Sequence, residues 1–367
     1  MKLHTADDER IVMTLDAGGT NLKFSAMQGD KLLMDYLYVP TEADNLERCL
    51  GNIVKGFEQV KAKLPAPPVA ISFAFPGPTD YTAGIVGDLP NLPAFRGGIA
   101  LGPMLEDKFK IPVFINNDGD LFVYGEAMAG FLPAVNNSLA QAGSPKRYKN
   151  LFGVTLGTGF GAGIVRDGDL FLGDNICAGE AWLLRNKLDP NVNAEEGCSI
   201  RAVRRVYAAK NGIPFEQAPE PKIIYDIGMG KAPGNKAAAI EAFRQLGDVA
   251  GDAIAQAVTP VDSLVVVGGG VSGANALFLQ PLVDAMNDVF HKPEGDMRRL
   301  VQQAFNFEDS AQRAAFLKGD KREIVIPGTS RKIAYDPMPR TAVGMSRLGT
   351  SEAVAIGAYA FALAKLG

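Results

Sequence analysis

Five short stretches of this chain combine residue types and spacings that can do chemistry. In Asp16-Ala17-Gly18-Gly19-Thr20-Asn21-Leu22-Lys23, paired glycines let backbone N–H groups approach phosphate oxygens with no Cβ in the way. Thr20 adds a hydroxyl donor, and Asp16 is a carboxylate able to orient hydrated Mg²⁺. An ordinary tight hairpin turn uses the same residues, so the stretch alone leaves both readings open. Gly157-Thr158-Gly159-Phe160-Gly161 offers the same chemistry about 140 residues later, again between two apolar runs. Two such hairpins point to related half-domains clamping one nucleotide. Gly268-Gly269-Gly270 follows the strand ending at Val267, where consecutive glycines admit a ribose or flat ring to the backbone or make a close-packing turn.

The other two stretches carry carboxylates. Asn116-Asn117-Asp118-Gly119-Asp120 ends a short apolar run, and the non-alternating Leu121-Phe122-Val123-Tyr124 after it reads as helix, which sets Asp118 at a strand-to-helix loop. Asp118 is the candidate general base, with Asn117 as its hydrogen-bonding neighbour, because His4 and His291 are the only histidines and both lie far from every motif. Ala178-Gly179-Glu180 and Glu195 supply carboxylates that accept hydrogen bonds from paired hydroxyls, as a polyol pocket requires; solvated surface acids are the alternative.

The elements that must position these residues are legible in outline. Apolar runs at 11–15, 22–27 and 32–38 read as an antiparallel meander, and Leu46, Leu50, Ile53, Phe57, Val60 and Leu64 form one face of a helix. Buried strands are expected at 69–75, 113–116, 151–156, 161–165 and 264–267, a helix from 121 with a break near Pro133, and a long helix over 237–258 ending before Pro260. With 47% apolar and 21% charged residues and a net charge of −4, the chain lacks the basic footprint of a nucleic-acid or membrane-surface partner. Three scattered cysteines, Cys49, Cys177 and Cys198, supply neither a disulfide framework nor a zinc site. From the polar start and the lack of a long apolar run, a cytoplasmic location is expected.

In their order along the chain, these motifs resemble the ROK family of sugar kinases and repressors, of the glucokinase type, within the actin-like ATPase superfamily. Asp16 to Lys23 resembles the family's first phosphate motif, Phe75-Pro76-Gly77-Pro78 and Asn91-Leu92-Pro93 its sugar loops, and Asn117-Asp118 its catalytic pair. Gly157 to Gly161 matches the second phosphate motif, Ala178-Gly179-Glu180 the sugar-binding Ala-Gly-Glu, and Gly268 to Gly270 the adenosine motif. The chain departs in two places: Leu183 stands where the family has a histidine, and the cysteine-rich zinc motif is missing, with Asn193-Ala194-Glu195 at its last Cys-x-Glu. Trp182 reads as a sugar-lining or, more simply, a core side chain.

The resemblance implies an α/β protein of two ribonuclease-H-like (actin-like ATPase) domains flanking a cleft. The smaller sugar-side domain is expected over 1–116, completed by a C-terminal helix at 350–367, and the larger over 117–349; the charged stretch at about 291–347, longer than the family's, reads as a surface insertion, with a dimer contact or a flap over the nucleotide as the alternatives. It implies that Asp118 takes the proton of a sugar 6-hydroxyl while Asn91, Asn117, Glu180 and Glu195 fix the ring. Asp16, Gly18, Gly19, Thr20, Lys23, Gly157, Thr158, Gly159, Gly268, Gly269 and Gly270 are expected to hold ATP, with Mg²⁺ oriented through water by Asp16. Glucose is the expected hexose; fructose, mannose or an N-acetylhexosamine, or a non-catalytic sugar sensor, are the alternatives. A repressor needs a DNA-binding domain, and with ten residues before Ile11 a kinase is expected rather than a repressor. A homodimer without nucleic-acid or membrane partners is expected.

Overall fold

In the computed structural model, which describes residues 7–367 except 19, 30, 78, 90 and 91, the apolar runs become two similar sheets. The readings placed on His4, Gly19, Pro78 and Asn91 lie outside the described residues. The chain divides into two compact units, residues 1–130 with 168–178 and 350–367, and residues 131–167 with 179–349.

In the first unit, strand Ile11–Ala17 pairs antiparallel with Asn21–Gln28 on one side and parallel with Ala70–Ala74 on the other, and Ala70–Ala74 continues parallel to Val113–Asn116. The third run of the expected meander is split into Lys31–Leu32 and Leu37–Pro40. Both pieces pair with Asn21–Gln28, but the register steps from Met27↔Leu32 to Phe24↔Leu37, so two extra residues bulge out and the faces are kept. The stripe from Leu46 produces helix Leu46–Lys61, whose Asn45 side chain caps the Arg48 N–H and which buries Ile53, Phe57 and Val60 on the sheet.

The first unit continues to Gly130, past the boundary expected at residue 116. Helix Asp118–Met128 is buried on every side from Gly119 to Ala127 and packs on the C-terminal helix Thr350–Leu366. Gly125 and Gly357 permit this approach: a Cβ on either would stand 2.0 Å or less from the facing carbonyl of Ala353 or Leu121. Phe361 then meets Phe114 and Tyr124 edge-on at 6.0 and 6.3 Å. Gly130, rather than Pro133, separates this helix from Phe131–Gln141, where Pro133 is tolerated in the first turn.

The second unit repeats the plan. Leu151–Leu156 pairs antiparallel with Phe160–Arg166 and parallel with Leu264–Gly268, which is followed by Arg340–Met345 and Gln303–Asn306. Helix Lys236–Val261 covers this sheet and carries Pro260 within its last turn, two residues beyond the expected end. The segment 291–347 is therefore only partly a surface insertion. Two of its strands complete the sheet, Arg340 forms a fully buried ion pair with Asp336, and the exposed parts are residues 291–298 and the hairpin of Arg322–Val325 with Lys332–Tyr335. Among the described residues no helix is long and apolar enough to cross a membrane.

Candidate active site

In the first unit the strand register brings the candidate residues to one sheet edge. Asp16 is opposite Ala74, and Ala74 opposite Asn116, so Asp16 and the Asn117-Asp118 step lie at the carboxyl ends of parallel strands. Ligands of open α/β sheets bind at those ends. Asn117 caps helix Asp118–Met128, its side-chain oxygen accepting the Gly119 N–H at 2.8 Å, and the Asp118 carboxylate accepts the same N–H at 2.8 Å. The carboxylate keeps a face open to solvent, yet protein mass surrounds it. That desolvation pushes its pKa up from the ordinary 3.8, the Gly119 bond opposes the rise, and the negative charge of Asp16 adds to it. A carboxylate that holds its proton more tightly than usual is a stronger base once ionised, as general-base catalysis requires.

Asp16 is half-exposed and pairs with Lys23, its cross-strand neighbour, at 2.9 Å. That hydrogen bond raises the lysine's pKa. A solvent-facing carboxylate suits the water-rich coordination of Mg²⁺, and among the described residues no group of three or more acidic, cysteine or histidine side chains could hold a metal ion. The loop after Asp16 is braced by Thr41, a residue with no sequence signal: its hydroxyl donates to the Gly18 carbonyl at 2.6 Å and its N–H to Thr20 at 3.0 Å. Tyr81, equally silent in the sequence, donates its hydroxyl to the Phe75 carbonyl at 3.1 Å and stands 3.5 Å from the Asn117 amide.

In the second unit Gly157-Thr158-Gly159 and Gly268-Gly269-Gly270 come together. Gly268 lies opposite Thr155, Gly269 turns at φ +90°, and the Val271 N–H donates to Leu156 at 2.9 Å. The N–H groups of Gly18 and Gly157 close their own hairpins, onto Asn21 at 3.1 Å and Gly159 at 3.0 Å.

Glu180 and Glu195 are held differently. Trp182 is half-buried against the core and donates its indole N–H to the Glu180 carboxylate. Leu183, in the same short 3₁₀ turn, is 59% exposed. Glu195 accepts the Phe160 N–H at 3.1 Å and pairs with Arg201 at 3.0 Å, tying it to the second glycine loop. Side chains brace the segment between the two acids: the Asn186 side chain accepts the Leu188 and Asp189 N–H groups, and Lys187 bridges Asp248 at 2.9 Å and Asp288 at 3.0 Å. Neither Lys187 nor Arg201 had a motif to announce it.

Two units, each built as an antiparallel hairpin followed by parallel strands, with a glycine loop at each hairpin turn, define an α/β protein of the actin-like ATPase class. Within that class the ROK family model matches residues 12–318, and the chain belongs to the ROK family. The crystal structure of glucokinase from Parabacteroides distasonis is 53% identical, covers 99% of each chain and superposes with a TM-score of 0.91. The N-acetyl-D-glucosamine kinase of Vibrio parahaemolyticus is 28% identical over 274 residues, 72% of this chain and 85% of that protein. The glucokinase of Halalkalibacterium halodurans is 25% identical over 299 residues, 75% and 84% of the two chains.

Proposed function

We propose that this protein transfers the γ-phosphoryl group of ATP to a hexose hydroxyl, with glucose as the substrate and glucose 6-phosphate as the product. The observation that carries the reading is Asp118, a base of raised proton affinity fixed at the head of a buried helix, one strand removed from Asp16 at the same end of the sheet. The 53% identity to a protein described as a glucokinase favours glucose over N-acetylglucosamine, the substrate named for the relative at 28%.

In this mechanism Asp118 takes the proton of the 6-hydroxyl as that oxygen attacks phosphorus, and Asn91 and Asn117 position the ring. Glu180 and Glu195 accept hydrogen bonds from its other hydroxyls. Thr20 and Thr158 donate hydroxyls to the phosphate chain, Lys23 supplies positive charge, and the Gly268–Gly270 turn admits the adenosine. Asp16 would hold Mg²⁺ through water, and the ion, when bound, offsets negative charge on the phosphates. The test is ADP release from Mg²⁺-ATP with glucose, mannose, fructose, N-acetylglucosamine and N-acetylmannosamine. Glucose should give the highest kcat/KM. Preference for another sugar overturns the assignment of substrate, and turnover with none overturns the assignment of activity.

A further inference from the structure

Among the described residues, Glu195 is the proposed sugar ligand that also touches a phosphate loop. Its Oε2 accepts the Phe160 N–H at 3.1 Å, and Gly159 lies so close that a Cβ there would stand 2.8 Å from the same oxygen. Its Oε1 accepts from Arg201 Nη2 at 3.0 Å, and the other arm of that guanidinium, Nη1, donates to the Thr158 carbonyl at 3.1 Å. One residue before Arg201, the Ile200 N–H donates to the Gly157 carbonyl at 2.8 Å. Arg201 is fixed from behind: Nη2 also reaches Glu196 Oε1 at 3.2 Å, and Glu196 is gripped by Arg205 through both its carboxylate and its backbone carbonyl. An unbroken chain of charge-assisted hydrogen bonds thus runs from Arg205 through Glu196, Arg201 and Glu195 to the loop 157–160.

We propose that Arg201 is a positioning residue that joins Glu195 to the 157–160 loop, so that hexose on Glu195 and nucleotide on the loop strengthen each other's binding. The proposal rests on Glu195 being a sugar ligand. An ionised carboxylate accepts about four hydrogen bonds; two directions on Glu195 are in use, leaving two for a pair of sugar hydroxyls without release of the loop. Sugar hydroxyls that immobilise Glu195 therefore also immobilise Phe160 and, through Arg201, Thr158. A nucleotide arriving afterwards meets a loop whose ordering cost has already been met, and linkage makes the effect reciprocal. The planar fork is essential, because a lysine ammonium cannot span Glu195, Glu196 and the Thr158 carbonyl with fixed geometry.

The test is calorimetric titration of AMP-PNP into the enzyme with and without saturating glucose, for the wild type, Arg201→Met and Arg201→Lys. The wild type should bind AMP-PNP at least about fivefold more tightly with glucose, within the usual range of coupling. Arg201→Met should reduce that ratio below about twofold, with Arg201→Lys between them. A purely structural role for Arg201 would weaken both ligands or lower the melting temperature while leaving the ratio intact. Wild-type coupling in Arg201→Met overturns the proposal, as does full coupling in Arg201→Lys should the methionine variant fail to fold, or a wild type without coupling. Wild-type turnover of glucose, measured alongside, separates these outcomes from failure of the functional reading, which would remove the proposal with it.

Discussion

Replacing Asp118 by Asn separates the base from its position. The asparagine Oδ1 can still accept the Gly119 N–H that the carboxylate accepts at 2.8 Å, and Asn117 still caps the helix, so the backbone around the site keeps its shape. What is lost is the proton acceptor. Loss of a positioned general base costs about 10²–10⁴ in rate, or about 2.7–5.4 kcal/mol of barrier at about 1.36 kcal/mol per decade. We therefore expect kcat to fall at least about 100-fold, with the KM values for glucose and ATP within about threefold. Stability should move the other way. Asp118's folded-state pKa is raised, so the native state holds a proton that the unfolded chain has already released, and stability declines as pH climbs from about 3.8 through the folded value. At neutral pH the neutral asparagine removes that penalty, and because one face of the carboxylate is solvated the gain is small but positive in sign. Steady-state ADP release and thermal melting at neutral pH on the same preparation read both effects. A variant turning over within tenfold of wild type, or one that melts lower, refutes the reasoning.

Asp336→Ala should destabilise the second unit by about 3–5 kcal/mol in urea unfolding, because it strands the buried Arg340 guanidinium, now held by Asp336 at 2.8 and 3.0 Å; a loss below about 1 kcal/mol contradicts this. Leu183 offers no hydrogen bond, so mannose and 2-deoxyglucose should fall within about tenfold of glucose in kcat/KM, a gap of about 1.4 kcal/mol. Leu183→His should widen that gap, and a preference for glucose by thousands in the wild type would show that another residue reads the first two carbons. Activity should survive a zinc-selective chelator with Mg²⁺ in excess, because Asn186 and Lys187 already fasten the segment between Glu180 and Glu195; stoichiometric zinc whose removal abolishes turnover would contradict this.

Local signals carried much of this fold into the sequence. The stripe from Leu46 to Val60 marks a helix because one face is buried, and the apolar runs around the glycine turns mark hairpins because their partners are adjacent in the chain. Strands Gln303–Asn306 and Arg340–Met345 escaped notice because their pairing is parallel and non-local, and charged surface residues surround them. The first unit's true extent was hidden for a similar reason: helix Asp118–Met128 finds its partner more than 200 residues away in Thr350–Leu366. At the site, the motif residues were legible because glycine and carboxylate chemistry restricts their type. Thr41, Lys187 and Arg201 were not, because each acts through a tertiary contact that leaves no spacing to read.

The central claim is phosphoryl transfer to a sugar oxygen, and following the γ-phosphoryl group tests it most directly. With ATP labelled in that group, Mg²⁺ and glucose, the account predicts that the label moves to glucose as a 6-phosphate ester, one per ADP formed, and that phosphorus–proton correlation places it on the sixth carbon. Label recovered only as inorganic phosphate, or ADP release that is independent of sugar, would contradict it.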